Sequence, residues 1–143
     1  SVSVFSQREH HRVLALELGA SWVGGSSEVP REKLHCAIMF APAGELVPFA
    51  MRALGKGGTL AIAGIHMSPI PSLNYDEELF GERVIRSVTA NTKQDGLDLL
   101  QIASEIPIRT HTELFSLEEA NFALQTMKAG KIQGAGVLDL RRG

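Results

Sequence analysis

The sequence predicts an α/β protein built around a parallel β-sheet. Five short apolar runs alternate with helical patterns over the first 92 residues, and strands that helices cover on both faces are apolar throughout, without alternation. The helical segments carry apolar residues at i, i+3 and i+4 and stop at glycines. With 44% hydrophobic and 21% charged residues, the 143-residue chain has the composition of one globular domain or a large part of one.

The five predicted strands occupy residues 2–5, 22–23, 37–41, 60–65 and 84–88. Helices are expected before Gly19 and before Gly55, since a glycine suits the left-handed position that follows a helix. After residue 92 the pattern changes to two further helices and a final apolar run at residues 136–140. Ser116 and Glu119 have the spacing of a capping box at the start of the second of these helices.

Charge and composition exclude several classes of partner. The net charge is -2 and no basic run is interleaved with aromatic residues, so a nucleic acid is not expected as a partner. Cys36 is the only cysteine, which excludes an internal disulfide and a cysteine-rich zinc site within these residues. The apolar runs are too short to span a bilayer and no leader pattern opens the sequence, so we expect a cytoplasmic protein without membrane contact.

Two groups of residues that suggest ligand sites have simpler explanations. The stretch "LGKGGT" follows a predicted helix and precedes a strand, whereas a phosphate loop has the opposite order, so we interpret it as a turn. The five histidines lack the spacing of metal ligands, and His10 and His11 are interpreted as solvated helix residues. His66 follows the carboxyl end of a predicted strand, where open α/β sheets bind ligands, and it is either a ligand contact or an ordinary loop residue.

The turn after the first predicted strand lacks the acid that dinucleotide-binding folds usually place there. That acid accepts hydrogen bonds from the adenosine ribose, whereas this strand ends in Phe5, Ser6, Gln7 and Arg8. A hydroxyl, an amide and a guanidinium can instead surround a 2′-phosphate, and Arg12 stands one helical turn further on. The alternative is a polar helix start with Ser6 as its cap.

Four segments carry a family resemblance, and they occur in the order "ELGASWVGG", "ALGKGGTLAIAGIHMSPIP", "SVTANTKQDG" and "FSLEEANFALQTMKAGKIQGAGVL". Together they resemble the C-terminal half of zinc-dependent alcohol dehydrogenases of the medium-chain dehydrogenase/reductase family. The resemblance implies an incomplete Rossmann-type doubly wound parallel sheet that lacks its first strand, over residues 1–92. A C-terminal α+β tail, residues 93–143, would follow, and in that family this tail packs on a separate catalytic domain.

The resemblance also implies which residues contact a nicotinamide cofactor. It assigns Ser6, Gln7 and Arg8 to the adenosine ribose, and Ala41 and Pro42 to the floor beneath the adenine. It assigns Ala63, Gly64 and Ile65 to the strand end facing the nicotinamide, and Val88 and Ala90 to the backbone that holds the carboxamide of the nicotinamide. The segment "IHMSPIPSLNY" is expected to lie as a loop over the same crevice, with His66 or Met67 near the nicotinamide, because its prolines prevent a regular helix.

The activity implied by the resemblance is hydride transfer between a primary or secondary alcohol or aldehyde and NADP(H), in preference to NAD(H), with zinc as Lewis acid. In that family the zinc ligands lie in the catalytic domain, so no residue here is expected to be catalytic or to bind metal. The chain alone is expected to be inert and to bind dinucleotide weakly. Two alternatives stay open, namely part of a zinc-free quinone or enoyl reductase and a non-catalytic assembly module.

The expected absence of the first strand has a consequence for assembly. In the order 3-2-1-4-5-6 that strand lies between the second and the fourth, so its loss would leave two sheet edges unpaired. Unpaired apolar edges recruit partners. We therefore expect a homo-oligomer, a strand from a separate polypeptide, or a rearranged tail strand at residues 136–140 to fill the gap.

Overall fold

Strands and helices alternate along the first part of the chain. A computed structural model describes residues 1–106, 108 and 110–141. The strands are β1 (Ser3–Phe5), β2 (Trp22–Gly24), β3 (Leu34–Met39), β4 (Leu54–Ile62), β5 (Val84–Ser87), β6 (Thr112–Phe115) and β7 (Ala135–Leu138). The helices are α1 (Glu9–Glu17), α2 (Val47–Ala53), α3 (Lys93–Glu105) and α4 (Ala120–Lys128), with a 3₁₀ turn at Gly44–Leu46 and a π-helical turn at Tyr75–Leu79. The chain divides into two units, Ser1–Ala90 and Asn91–Gly143.

The strands of the first unit form two separate parallel sheets. β1 pairs with β2, and β4 lies between β3 and β5 in the other sheet. In the doubly wound order one further strand lies between the positions of β1 and β3. Within residues 1–90, no strand pairs with those two edges. The predicted α/β class, with a Rossmann-type parallel sheet that lacks its first strand, is therefore confirmed.

The core of the first unit lies where α2 packs against β4. Val47, Met51, Leu54 and Leu60 are each 0% exposed. Val47 and Met51 are one helical turn apart, so both point from the same face of α2 toward the sheet. Full burial of such a side chain contributes about 1.5–3 kcal/mol relative to leaving it in water.

The end of α2 differs from the prediction. The helix ends at Ala53, and Leu54 is already extended at φ -72° and ψ 144°. Burial of Leu54 in the sheet stabilises the protein more than one further helical residue would, so the helix ends before Leu54. The glycine with a left-handed backbone is Gly57 (φ 72°), whereas Gly55 was predicted. The prediction for Gly19 is confirmed, because this glycine follows α1 with φ 97°.

Helix α3 of the second unit begins with a capping box that the sequence analysis missed. Asp95 N–H donates to Thr92 Oγ1 at 3.2 Å, and Thr92 N–H donates to Asp95 Oδ2 at 2.7 Å. The Thr92 hydroxyl also donates to Asp95 Oδ2 at 2.7 Å, and the bonds that the carboxylate accepts from the Thr92 N–H and then the hydroxyl lower the pKa of Asp95. No residue of α3 is buried.

Strands β6 and β7 of the second unit pair in parallel, and α4 lies between them in the chain. Their small core contains Phe115, Ala123 and Ile132. The predicted rearrangement of residues 136–140 into the gap of the first sheet is wrong, because β7 pairs with β6. In the described part of the chain, no helix has the length and apolar character that a membrane crossing needs.

Candidate functional site

The carboxyl ends of β3, β4 and β5 meet at one edge of their sheet, because the three strands are parallel. The ladder continues one residue past the strand ends. Ala63 N–H donates to the Met39 carbonyl, and Val88 N–H donates to the Ile62 carbonyl, each at 2.9 Å. This carboxyl edge carries seven of the predicted contact residues, which are Ala41, Pro42, Ala63, Gly64, Ile65, Val88 and Ala90.

The backbone of this edge offers few polar groups to a ligand. The N–H of Val88 is already used in the ladder. Within residues 1–90, no hydrogen bond uses the Val88 carbonyl or the Ala90 N–H, so these two groups can hold an amide. Gly64 is close to its neighbours, since an added Cβ would lie 3.3 Å from the His66 carbonyl oxygen and 3.9 Å from that of Ala41. The edge is therefore lined by backbone groups and the small residues Ala63 and Gly64, with the side chains of Ile65 and Val88 exposed beside them.

Ser68 fastens the loop after β4 to the end of β3. Its N–H donates to the Pro42 carbonyl at 3.3 Å, and its hydroxyl accepts from Gly44 N–H at 2.8 Å. The same hydroxyl donates to Glu45 Oε2 at 2.9 Å. The Glu45 backbone N–H and then the Ser68 hydroxyl lower the pKa of the Glu45 carboxyl. The loop thus lies at the carboxyl edge, where His66 is exposed.

Gly44 permits this close approach. A Cβ at this position would overlap the backbone carbonyls of Ser68 and Pro69, so any side chain here would push the loop away. Met67 packs partly against the core formed by α2 and β4. Contact of His66 or Met67 with a nicotinamide stays a prediction.

At the end of β1, four polar residues surround a single turn. Ser6 N–H donates to the Gly24 carbonyl at 2.9 Å, which fixes the turn to β2. Arg12 Nη1 donates to the Ser6 carbonyl at 2.8 Å, and Arg8 N–H donates to Ser6 Oγ at 3.3 Å. His11 Nδ1 lies 3.4 Å from Ser6 Oγ. Ser6 is therefore contacted by three residues, by Arg8 through its backbone N–H and by His11 and Arg12 through their side chains; these four residues are here called the β1 cluster.

The alternative interpretation of Ser6 as the helix cap is not supported. The N-cap residue of α1 is Arg8, and its side chain makes no capping hydrogen bond. Gln7 takes a different direction from the β1 cluster, because its Nε2 donates to Ser26 Oγ at 3.0 Å. The structure therefore brings together Ser6 and Arg8 of the predicted ribose contacts and turns Gln7 toward the loop after β2.

The prediction that His11 is a solvated helix residue is confirmed, since His11 is exposed on α1. Its position beside Ser6 was not predicted, although Arg8, His11 and Arg12 have i, i+3, i+4 spacing and so share one face of the helix. That spacing was the available signal. Partial burial, the neighbouring His10 and the Arg8 charge, in that order, lower the pKa of His11.

Two surface depressions lie away from the carboxyl edge and the β1 cluster. One of about 590 Å³ is lined by residues 75–83, which lead into the amino end of β5. Another, of about 190 Å³, lies in the second unit between α4 and β7 and is apolar. Among the residues that the structure describes, no group of three or more His, Cys, Asp or Glu side chains is arranged to hold a metal ion.

Comparison with known proteins gives related sequences over nearly the whole chain. No protein-family model matches. The probable alcohol dehydrogenase AdhA of Mycobacterium tuberculosis is 44% identical over 137 residues, which cover 96% of this chain and 40% of that protein. An alcohol dehydrogenase of Geobacillus stearothermophilus is 31% identical over 136 residues, with 90% and 40% covered. The chain thus spans about 40% of the length of the curated relatives that it matches.

Solved structures share the fold at lower sequence identity. A cinnamyl alcohol dehydrogenase of Sorghum bicolor covers 100% of this chain with a TM-score of 0.85 at 19% identity, and the match covers 42% of that chain. The Helicobacter pylori CAD, solved in complex with NADP(H), also covers 100% of this chain, with a TM-score of 0.80, 20% identity and 42% of its own chain matched. The predicted resemblance is therefore confirmed, since nearly the whole chain is similar to one part, about 40%, of proteins named alcohol dehydrogenase.

Proposed function

We propose that the first unit binds a nicotinamide dinucleotide at the carboxyl ends of its strands and that the protein acts in hydride transfer between an alcohol or aldehyde and that dinucleotide. The relatives named alcohol dehydrogenase support this activity. The sheet supports the location, because open parallel sheets bind ligands beyond the carboxyl ends of their strands.

The β1 cluster supports NADP(H) as the preferred dinucleotide, and it is the single observation that carries this part of the proposal. The turn after β1 presents the Ser6 hydroxyl and two arginines, with no carboxylate at the position that usually accepts hydrogen bonds from the ribose. Guanidinium groups suit a phosphate because they offer several donors in a plane. A 2′-phosphate at this turn would meet cations, whereas a bare ribose would lack its usual acceptor.

The carboxyl edge of β4 and β5 would receive the nicotinamide. The small residues Ala63 and Gly64 leave room for a flat ring, and the Val88 carbonyl and Ala90 N–H can hold the carboxamide. Ala41 and Pro42 would form the floor beneath the adenine, and the loop fastened by Ser68 would exclude water from the ring. The dinucleotide itself supplies the hydride chemistry, and these residues position it.

Zinc is proposed for the reaction through the resemblance alone. The described residues do not fit a zinc site, since they contain no group of three potential ligands. We therefore assign no residue of this chain a metal-binding function, and the side chains that contact the alcohol or aldehyde are not assigned either.

Titration of NADPH and NADH, followed by the fluorescence of the reduced nicotinamide, tests the proposed function. We expect tighter binding of NADPH. Arg8→Ala should weaken NADPH binding by about 1.5–3 kcal/mol, as expected for a hydrogen bond to a charged group, and should hardly change NADH binding. Lys56→Ala is the matched control, because it removes one positive charge near the amino end of β4. Equal binding of the two dinucleotides would overturn the NADP(H) preference.

The two unpaired sheet edges support a further proposal, namely that the protein is a homo-oligomer. Edge strands offer unused N–H and C=O groups to another chain, and β1 and β3 each have such an edge within residues 1–90. Light scattering of the purified protein should give a mass above that of one chain. A monodisperse monomer at high protein concentration would contradict it.

A further inference from the structure

His11 is directed at the turn where the proposed 2′-phosphate would lie. Side chains of an α-helix lean toward its N-terminus, and accordingly His11 Nδ1 comes to 3.4 Å from Ser6 Oγ. Arg12, the next residue, is fixed on the Ser6 carbonyl at 2.8 Å. The imidazole therefore lies beside the same hydroxyl that Arg8 N–H contacts.

The charged groups around His11 are mainly positive. On its own helix and turn these are Arg8, His10 and Arg12, with Glu9 as the acid of the first turn. The His10 and His11 rings lie 4.3 Å apart. From the loop after β2, the Glu28 carboxylate lies over Gly24 and Gly25, and β1 contributes no ionisable group.

This environment makes the charge of His11 sensitive to an anion. With no anion bound, partial burial and the neighbouring cations disfavour the imidazolium and hold the pKa of His11 below its ordinary value. A phosphate beside the ring would have the opposite effect, since an opposite charge within a few ångströms favours the charged form. Binding of such a phosphate is then linked to uptake of a proton.

Resting on the proposed function, we infer that His11 is a specificity-determining residue that makes recognition of the 2′-phosphate proton-dependent. Protonated His11 donates to the phosphate together with the Ser6 hydroxyl and the arginines, and neutral His11 adds no charge. The preference for NADP(H) over NAD(H) is therefore greatest in mildly acidic solution and falls as the pH rises. Affinity for NAD(H), which has no 2′-phosphate, does not follow this dependence.

Adenosine 2′,5′-bisphosphate and adenosine 5′-monophosphate are suitable probes, since they differ by the 2′-phosphate alone. Binding of each is measured by NMR titration between about pH 6.5 and about pH 8.5, a range in which the 2′-phosphate, with a second pKa of about 6, is mostly dianionic. We expect the preference for the bisphosphate to fall about tenfold across this range, as a charge-assisted contact is lost. The His11 ring signals should titrate at higher pH with the bisphosphate bound than without it.

Three variants isolate the contribution of His11, which is exposed enough to be replaced without loss of folding. His11→Gln should remove the pH dependence and leave the weaker, high-pH preference. His11→Lys should keep a strong preference throughout the range, because its charge is permanent there. His35→Gln is the matched control and should retain the wild-type dependence, because His35 is an exposed histidine of β3, in the other sheet.

The results distinguish the inference about His11 from the proposed function on which it rests. If the bisphosphate binds better than the monophosphate but His11→Gln keeps the wild-type pH dependence, His11 is not the group concerned and the inference is overturned, while the proposed function stands. If the bisphosphate shows no preference at any pH, the 2′-phosphate site itself is absent and both fail.

Discussion

The two sheets of the first unit differ in what holds them together. Where α2 packs on the sheet of β3, β4 and β5, Leu54 and Leu60 of β4 and Val47 and Met51 of α2 are 0% exposed. In the sheet of β1 and β2 the strands have three residues each, and no residue of α1 is buried. The main packing contact there joins the rings of Phe5 and Trp22, 5.0 Å apart.

This difference implies that the β3–β5 sheet determines stability and the β1–β2 sheet determines the choice of dinucleotide. The β3–β5 sheet buries the large apolar side chains of its central strand β4 and offers backbone groups to a ligand, whereas the β1–β2 sheet leaves the charged side chains of α1 near the surface. Charged groups at the surface are available to a phosphate because they make no contribution to the core. We therefore expect substitutions in the β3–β5 sheet to alter stability and substitutions in the β1 cluster to alter dinucleotide choice.

The largest expected effect concerns Leu60 at the centre of the β3–β5 sheet. Leu60→Ala should lower the free energy of unfolding by about 2–5 kcal/mol, because the buried side chain leaves a cavity. Val4→Ala, in half-buried β1, should cost only about 1 kcal/mol. Chemical denaturation measures both, and Trp22, the only tryptophan, reports on the β1–β2 sheet by its fluorescence. Equal costs would remove the distinction between the sheets.

A smaller effect is expected at the ion pair between Arg52 of α2 and Glu78. Arg52 Nη1 lies 2.6 Å from Glu78 Oε1, and the other carboxylate oxygen accepts from Asn74 N–H at 2.8 Å. Glu78 is 3% exposed, so Arg52→Met should destabilise the protein by about 1–3 kcal/mol by leaving a buried charge poorly paired.

The double variant Arg52→Met/Glu78→Leu provides the control for this pair. It should recover most of the loss, since replacement of both partners by apolar side chains removes the buried charge as well. A double variant less stable than Arg52→Met alone would show that the carboxylate is held mainly by Asn74 and not by the arginine.

The smallest expected effect is at Ser68, which fastens the loop after β4. In the folded protein the pKa of Glu45 is lowered, so its contribution to stability is present above the ordinary pKa and lost as the pH falls through the folded value. Ser68→Ala should raise that pKa part of the way, because the larger cause, the Glu45 backbone N–H, remains. The acid-induced loss of stability should shrink accordingly.

Carboxylate NMR titration and unfolding at neutral and acidic pH measure the Ser68 effect. Ser72→Ala, an exposed serine of the same loop, is the matched control and should change neither quantity. An unchanged Glu45 pKa in Ser68→Ala would mean that the hydroxyl does not hold the carboxylate in solution.

Patterns that depend on local chemistry were predictable from the sequence. The apolar runs gave the order of the five strands of the first unit, and the glycine after α1 was placed correctly at Gly19. β6 was missed because Thr112 and Glu113 make half of this four-residue strand polar, and it forms only by pairing with β7. The end of α2 was misplaced because burial of Leu54, a tertiary effect, decides where the helix stops.

The candidate site was predictable where it depends on strand ends and less so where it depends on side-chain direction. Parallel strands bring Ala63 and Val88 to one edge whatever their rotamers. Gln7, in contrast, turns to Ser26, and His11 reaches back to Ser6, and neither direction follows from residue type.

Hydrogen exchange of the protein with and without saturating NADPH tests the central claim, that the carboxyl ends of both sheets bind one dinucleotide. With NADPH bound, we expect slower exchange at residues 6–12, 63–65 and 88–90 together. NADH should protect the last two segments equally but residues 6–12 less. Protection confined to residues 75–83, at the amino end of β5, or no protection at residues 6–12 with NADPH, would contradict it.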